Sequence, residues 1–302
     1  MRTIIAGGSG LIGRALSAEL VAGGHEVIVL SRGPDRVSNL PTGVRVERWD
    51  GKTSAGWGPL ASGASAIVNL AGENLSSGRW TPERRQEIRE SRVLAGQAVV
   101  QAVREADQKP GVLIQSSAVG FYGPRGNEEV TEQTPAGSDF LAQVCTAWEA
   151  STAPVESFGV RRTVIRTGIV LSHQGGALPR LLLPFRFFAG GPLGDGRQWY
   201  PWIHIADEVS AIRWLIETPG GRGVFNLSAP SPLTNADLAR AIGRALGRPS
   251  LLPTPSFVLR LALGDMSTVV LDGQRAVPRR LSELGYAFRF PAADAALRDL
   301  LH

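Results

Sequence analysis

Thr3-Ile4-Ile5-Ala6-Gly7-Gly8-Ser9-Gly10-Leu11-Ile12-Gly13 joins an apolar, β-branched run to a glycine-rich turn and then to the start of an amphipathic pattern. The order strand, glycine turn, helix is what gives these glycines meaning. Gly7 permits a tight turn, Gly10 lets the backbone approach a pyrophosphate, and Gly13 allows close packing of helix on strand. The helix start adds free N–H groups and a partial positive charge. The stretch therefore predicts a dinucleotide-phosphate site, against the blander reading of a structural turn.

Outward from it, short apolar runs alternate with helical patterns. Thr3–Ala6, Glu26–Leu30, Val44–Glu47, Ala66–Leu70, Val112–Gln115 and Thr163–Arg166 are apolar enough for a parallel sheet covered on both faces. Ile12, Ala15, Leu16 and Leu20 share one helical face, and Pro82 opens a second helix that runs to about Ala106. This alternation predicts an α/β fold, a Rossmann-type doubly wound parallel sheet. Beyond Gly168 the glycine-rich loops at 175–176, 190–191 and 194–196, and then prolines 249, 253, 255, 278 and 291, mark a smaller, mostly helical C-terminal substrate domain. Residues 1–170 are expected to form the NADP-binding domain, with 205–228 returning to it, while 171–204 and 229–302 form the smaller one.

The second strand ends at Ser31-Arg32, nineteen residues beyond Gly13, where an NAD-preferring site would place an acid on the ribose 2′-OH. No acid stands there. A guanidinium fork beside a hydroxyl suits a 2′-phosphate, so NADP(H) is favoured over NAD(H), the alternative being a solvated loop cation. Asp50 is placed either to accept from an adenine amino group or to order its own turn. Leu70, Ala71 and Gly72 close the fourth strand with small residues that let a ribose approach.

Composition narrows the remaining classes. The chain has 302 residues and a formal charge of +5, with Lys52 and Lys109 its only lysines. Its arginines are dispersed, with no run of five like charges, so no nucleic-acid partner is expected. The single Cys145 excludes a disulfide framework and a Cys-rich metal site; it is either a nucleophile or, as an apolar neighbourhood suggests, inert core. His204 and Asp207 are too few for zinc, and Asp207 is expected to cap the following helix. No metal site is predicted. His25 and His302 read as surface residues, and His173 as a loop residue near substrate or solvent. With no apolar core for a signal peptide and no uninterrupted apolar span, neither a secretion signal nor a membrane partner is expected, and a cytoplasmic location follows.

Taken together, the glycine loop, Asn69-Leu70-Ala71-Gly72-Glu73-Asn74 with Arg79-Trp80, Glu87 to Arg92, Gly175-Gly176-Ala177-Leu178, and Gly194-Asp195-Gly196-Arg197-Gln198 leading to Pro201-Trp202-Ile203-His204-Ile205-Ala206-Asp207 resemble the extended and atypical short-chain dehydrogenase/reductase superfamily. They are most similar to its epimerase-like family with a C-terminal domain of unassigned function, some members of which are labelled cell-division inhibitors. The resemblance implies that Gly7, Gly10, Leu11, Ile12 and Gly13 cradle the pyrophosphate, Ser31 and Arg32 the 2′-phosphate, and Leu70 and Ala71 the ribose. It further implies that Glu87, Arg92 and Val170 lie near the nicotinamide half. Glu87 and Arg92 are either a surface ion pair or a carboxylate orienting a guanidinium.

That superfamily uses Tyr-x-x-x-Lys, whose lysine lowers the tyrosine pKa. Here Tyr122, Tyr200 and Tyr286 are followed four positions on by Gly126, His204 and Phe290. Counting back from Glu149, Leu141 and Cys145 occupy the two places. The serine-rich end of the fifth strand leaves Ser116 beside the cofactor and Ser117 and Tyr122 as catalytic candidates, with a purely structural role as the alternative. Arg79, Arg197 and Trp199 are candidates for recognising an acidic or sugar-like substrate. The sequence thus reads as an NADP(H)-binding, epimerase/dehydratase-like oxidoreductase with a small sugar-nucleotide or carbonyl substrate. Its alternative is a catalytically inactive NADP(H)-dependent binding or regulatory protein.

Overall fold

The computed structural model describes residues 1–302. In chain order the first half runs β1 (Arg2–Ala6), α1 (Leu11–Ala22), β2 (Glu26–Ser31), β3 (Arg45–Arg48), β4 (Ala66–Asn69), α2 (Pro82–Glu105), β5 (Val112–Ala118), β6 (Glu129–Val130), α3 (Phe140–Ser151) and β7 (Arg161–Thr167). The second half runs β8 (Ile169–Ser172), β9 (Gly175–Gly176), α4 (Leu178–Arg186), β10 (Trp199–Tyr200), β11 (Trp202–His204), α5 (Ile205–Glu217), β12 (Gly223–Leu227), β13 (Leu233–Thr234), α6 (Asn235–Leu246), α7 (Ser256–Leu263), α8 (Thr268–Leu271), β14 (Arg275–Ala276), α9 (Arg279–Glu283) and α10 (Ala293–Leu301).

Strand periodicity explains the layering. Side chains alternate across a strand, so Ile5, Val27, Val29, Val68 and Ile114 join one core while Ile4, Ile28, Leu30, Ile67 and Leu113 join the other. Each strand must therefore be apolar on both sides, which is the pattern expected of a buried parallel sheet. The seven strands lie in the order β12-β7-β5-β4-β1-β2-β3, every pair parallel. Helix α1 buries Leu16 and Leu20 on the first face alongside Ile212 and Leu215 of α5. Helix α2 buries Ala95, Val99 and Val103 on the second. Fully burying one such branched side chain stabilises the fold by roughly 1.5–3 kcal/mol. The order in which strands are added reverses between β1 and β4, and the crevice at that switch point is where this architecture binds nucleotides.

Local chemistry sets the helix starts. Pro82 occupies the first turn of α2 behind Thr81, whose hydroxyl accepts the Arg84 N–H, and Asp139 caps α3 by accepting from Leu141 and Ala142. Helix α5 corrects an expectation. Its cap is His204, whose Nδ1 accepts the Ala206 N–H at 3.0 Å. Asp207 instead receives the backbone N–H groups of Arg289 and Phe290 at 2.7 and 2.8 Å, tying the C-terminal segment to the sheet. His25 is likewise buried rather than at the surface, held between the Thr3 hydroxyl and Glu217. A third core joins α4, α6 and α10 through Leu182, Phe185, Leu238, Ile242 and Leu297. No helix is long and apolar enough to cross a membrane.

Candidate functional site

The glycine loop is built by backbone contacts that exclude side chains at some positions and not at others. Gly7 has φ +80°, and a Cβ there would lie 2.9 Å from the Leu70 and Ala71 backbone. At Gly13 a Cβ would come within 2.5 Å of Gly8 Cα, so the close approach of α1 requires glycine. Gly10 differs. Its φ is −74° and the one atom a Cβ would meet is Gly7 O at 3.3 Å, a tight approach but looser than those at Gly7 and Gly13. Gly10 also starts α1 without a side-chain cap, and no acid stands in the first turn. A helix start prepared this way accepts an anion, which fits the expectation for Leu11, Ile12 and Gly13.

Beside the loop, at the ends of β1 and β2, lies an open cavity of about 720 Å³ walled by Ser9, Arg14, Ser31, Arg32, Arg36 and Arg48 among others. Its only carboxylate, Asp35, is ion-paired with Arg48 at 3.1 Å. Arg32 is 76% exposed and reaches Glu73 only at 3.7 Å, while Arg14 braces the loop by donating to Ser9 O. Arg36, on the turn Pro34–Arg36, has no carboxylate partner. The structure thus adds Arg14, Arg36 and Arg48 to Ser31 and Arg32. Arg36 could have been found from its place four residues after Arg32 in a proline turn.

Other candidates divide. The Asn69 side chain accepts the Ala71 N–H and donates to Gln115, which orders the turn carrying Leu70, Ala71 and Gly72 at the sheet edge. Val170 on β8 pairs with Ile203, and the β8–β9 hairpin brings Gly176 against Leu11. Asp50 is occupied by its own loop, accepting the N–H groups of Lys52 and Thr53 and the Thr53 hydroxyl. These bonds hold its carboxyl below the usual range although burial acts the other way, and they show Asp50 ordering its own turn. Glu87 pairs with Arg84 at 2.9 Å, not with Arg92. Arg92 is buried, donates to Ile88 O at 2.8 Å, stacks over Trp148 and lies against Gly72. Burial pushes its pKa down to about 10, which leaves it cationic at neutral pH.

A second cavity, of about 480 Å³, lies at the carboxyl ends of β5 and β7 under the 265–274 segment. Trp80, Arg92, Phe140, Leu141, Cys145 and Trp148 are among its walls, so the two residues standing where the superfamily places tyrosine and lysine both face it. Cys145 is buried, and burial followed by the nearby Glu149 charge pushes its thiol up to about 11; it is not a nucleophile of ordinary reactivity. Trp199 also lines this cleft, its indole N–H donating to Asn127, whereas Arg79 donates to Leu261 O and Arg197 is not on the wall. His173 borders a separate cavity with Arg14 and Glu19.

Ser117 and Tyr122 stand elsewhere. Ser117 donates to Glu149 at 2.7 Å, and Glu149 receives Arg166 through both oxygens at 2.8 and 2.9 Å. Arg166 also donates to the Tyr122 hydroxyl, which in turn donates to Asn226 at 2.6 Å. Tyr122 is 0% exposed, and burial pushes its pKa to about 12. Neither residue is on the cleft wall. The catalytic expectation for this pair gives way to a structural one: they belong to a buried polar network whose members satisfy one another. Ser116 is also buried, its carbonyl accepting from Gln115. What the sequence did not single out is Glu208, fully buried in α5 and accepting at 2.8 Å from Thr167, a cleft residue.

Comparison with known proteins extends this picture. Residues 3–228 match the model of the NAD dependent epimerase/dehydratase family, and residues 254–300 match a domain of unknown function, DUF1731. The chain is 39% identical over 308 residues to the epimerase family protein SDR39U1 of Bos taurus, covering 100% of each. Among solved structures, the human epimerase family protein SDR39U1 (isoform 2) with NADPH superposes with a TM-score of 0.87 at 36% identity over 99% of each chain. The nucleoside-diphosphate sugar epimerase of Corynebacterium glutamicum gives a TM-score of 0.80 at 37% identity over 100% of this chain and 58% of that one.

Proposed function

Because the chain belongs to the NAD dependent epimerase/dehydratase family, we propose that it binds NADP(H) along the carboxyl edge of its sheet and acts as an oxidoreductase on a small substrate held in the cleft beside Leu141 and Cys145. The Gly7–Gly13 loop would hold the pyrophosphate, Ser31, Arg32 and Arg36 the 2′-phosphate, and Leu70 and Ala71 the ribose. Val170 and Arg92 stand by the nicotinamide half. When bound, the nicotinamide supplies or accepts a hydride. The observation that carries this reading is the arginine-walled cavity next to a helix start with no side-chain cap and no acid in its first turn. Guanidinium groups bind phosphate oxygens in bidentate fashion, so such a cavity discriminates for the 2′-phosphate. The relative crystallised with NADPH supports the same reading.

Calorimetry on nucleotide-stripped protein tests it: NADPH is expected to bind at least about ten-fold more tightly than NADH, roughly 1.4 kcal/mol. Equal affinities would refute the assignment of the arginines.

A second reading, NADP(H)-dependent binding without turnover, is favoured by Leu141 and Cys145 in the tyrosine and lysine places and by the locked Tyr122. It predicts tight nucleotide binding with no absorbance change at ~340 nm against any carbonyl substrate.

A further inference from the structure

Resting on the reading of the cleft as the substrate side of an NADP(H) site, we propose that its ligand is an uncharged, flat and largely apolar carbonyl compound, not a nucleoside diphosphate sugar. A diphosphate brings two negative charges and needs free, charge-assisted donors. The cleft wall carries Arg85 and Arg92 against Asp139, Asp265 and Asp272. Each cation already has partners in the wall. Arg85 is ion-paired with Asp265 at 2.6 Å and stacked on Phe140, and Arg92 is bonded to Ile88 O and stacked on Trp148.

Arginines near the cleft are engaged as well. Arg79 donates to Leu261 O, Arg125 to the Tyr122 and Pro135 carbonyls, and Arg275 lies over the Trp199 ring. The carboxylates an incoming phosphate would meet are Asp139 and Asp272, and partial burial together with Asp139 pushes the Asp272 carboxyl up although Arg260 acts the other way. A further anion beside Asp139 and Asp272 meets their repulsion.

The walls specify shape. Trp80, Phe140, Trp148, Trp199 and Tyr200 present aromatic surface, with Trp80 and Phe140 edge to face at 5.2 Å. Half of the lining, 13 of 26 residues, is apolar. That favours a ligand which gains from losing water over its faces rather than from paired charges. The volume of about 480 Å³ lies within the range of roughly 300–1,000 Å³ typical of small-molecule sites.

The test uses the full chain saturated with NADP+, with nucleotide binding measured in each sample by calorimetry. 2-Naphthaldehyde and UDP-glucose are titrated separately, following the fluorescence of the tryptophans on the cleft wall. Saturable binding of 2-naphthaldehyde is expected, weakened at least about ten-fold in both Leu141→Asp and Trp199→Ala, whose NADP+ affinity stays at the wild-type level. UDP-glucose is expected to give no saturable signal into the millimolar range. Saturable UDP-glucose binding overturns the proposal, as does 2-naphthaldehyde binding that neither variant weakens. NADP+ binding without 2-naphthaldehyde binding defeats the ligand class alone, whereas absence of NADP+ binding defeats the proposed function beneath it.

Discussion

Replacing Glu208 by glutamine should flatten the dependence of stability on pH. Glu208 has no accessible surface; one carboxyl oxygen accepts from Thr167 at 2.8 Å, and the other has no partner. No guanidinium or ammonium is bonded to it. Burial therefore decides its protonation and pushes its pKa from 4.5 to about 8. The folded chain binds this proton more tightly than the unfolded chain. The stabilisation is thus complete below the unfolded value near 4.5 and is lost as pH rises through about 8. At about 1.4 kcal/mol per pH unit, crossing that interval removes up to roughly 5 kcal/mol. Whole domains are stable by only about 5–15 kcal/mol.

Urea unfolding at pH ~5 and pH ~8.5 reads this directly, because a change in midpoint at constant slope is a change in stability. Wild type is expected to lose several kcal/mol between the two conditions, and Glu208→Gln about 2–4 kcal/mol less. The amide keeps the oxygen that Thr167 needs, so at the lower pH the two proteins should agree within about 1–2 kcal/mol. Parallel pH profiles would refute the reasoning and show that water or a cation reaches the carboxylate in the folded state.

Four further substitutions separate roles at the site. Arg36→Ala should weaken NADPH by about ten- to a hundred-fold in calorimetry while leaving NADH unchanged; equal losses for both would move Arg36 out of the 2′-phosphate pocket. Gly10→Ala, whose Cβ would meet only Gly7 O at 3.3 Å, should cost less than about 1 kcal/mol yet weaken the nucleotide, whereas Gly13→Ala, whose Cβ would sit 2.5 Å from Gly8 Cα, should cost about 2 kcal/mol or more in urea. Tyr122→Phe strips a partner from Asn226 and from a buried Arg166 N–H, and should cost about 1–3 kcal/mol with nucleotide affinity intact. A Tyr122→Phe protein of unchanged stability and no turnover would restore the catalytic reading.

The glycine loop and the parallel sheet were legible because their causes are local. A β-branched run that must be apolar on both faces, and glycines set between it and a helical stripe, state their geometry within a dozen residues. Arg32 was legible for the same reason, as the residue that closes a strand. Arg14 was not, because it enters the same cavity from α1, and only the packing of that helix brings it beside the end of β2.

Charged residues misled wherever a local partner competed with a distant one. Asp207 has the spacing of a helix cap, yet its partners are the N–H groups of Arg289 and Phe290, more than eighty residues on. Glu87 was read toward Arg92, but the two stand five apart, off each other's face, and Arg84 three residues back takes the carboxylate. The serine and tyrosine near β5 were read as catalysts because that strand end normally faces a cofactor. In this chain Arg166 and Glu149 fill the space beneath it and draw both hydroxyls inward. The same exchange explains Leu141 and Cys145. With Ser117 and Tyr122 spent on the buried network, the two places where the superfamily sets tyrosine and lysine present only the Leu141 side chain and a buried thiol to the cleft.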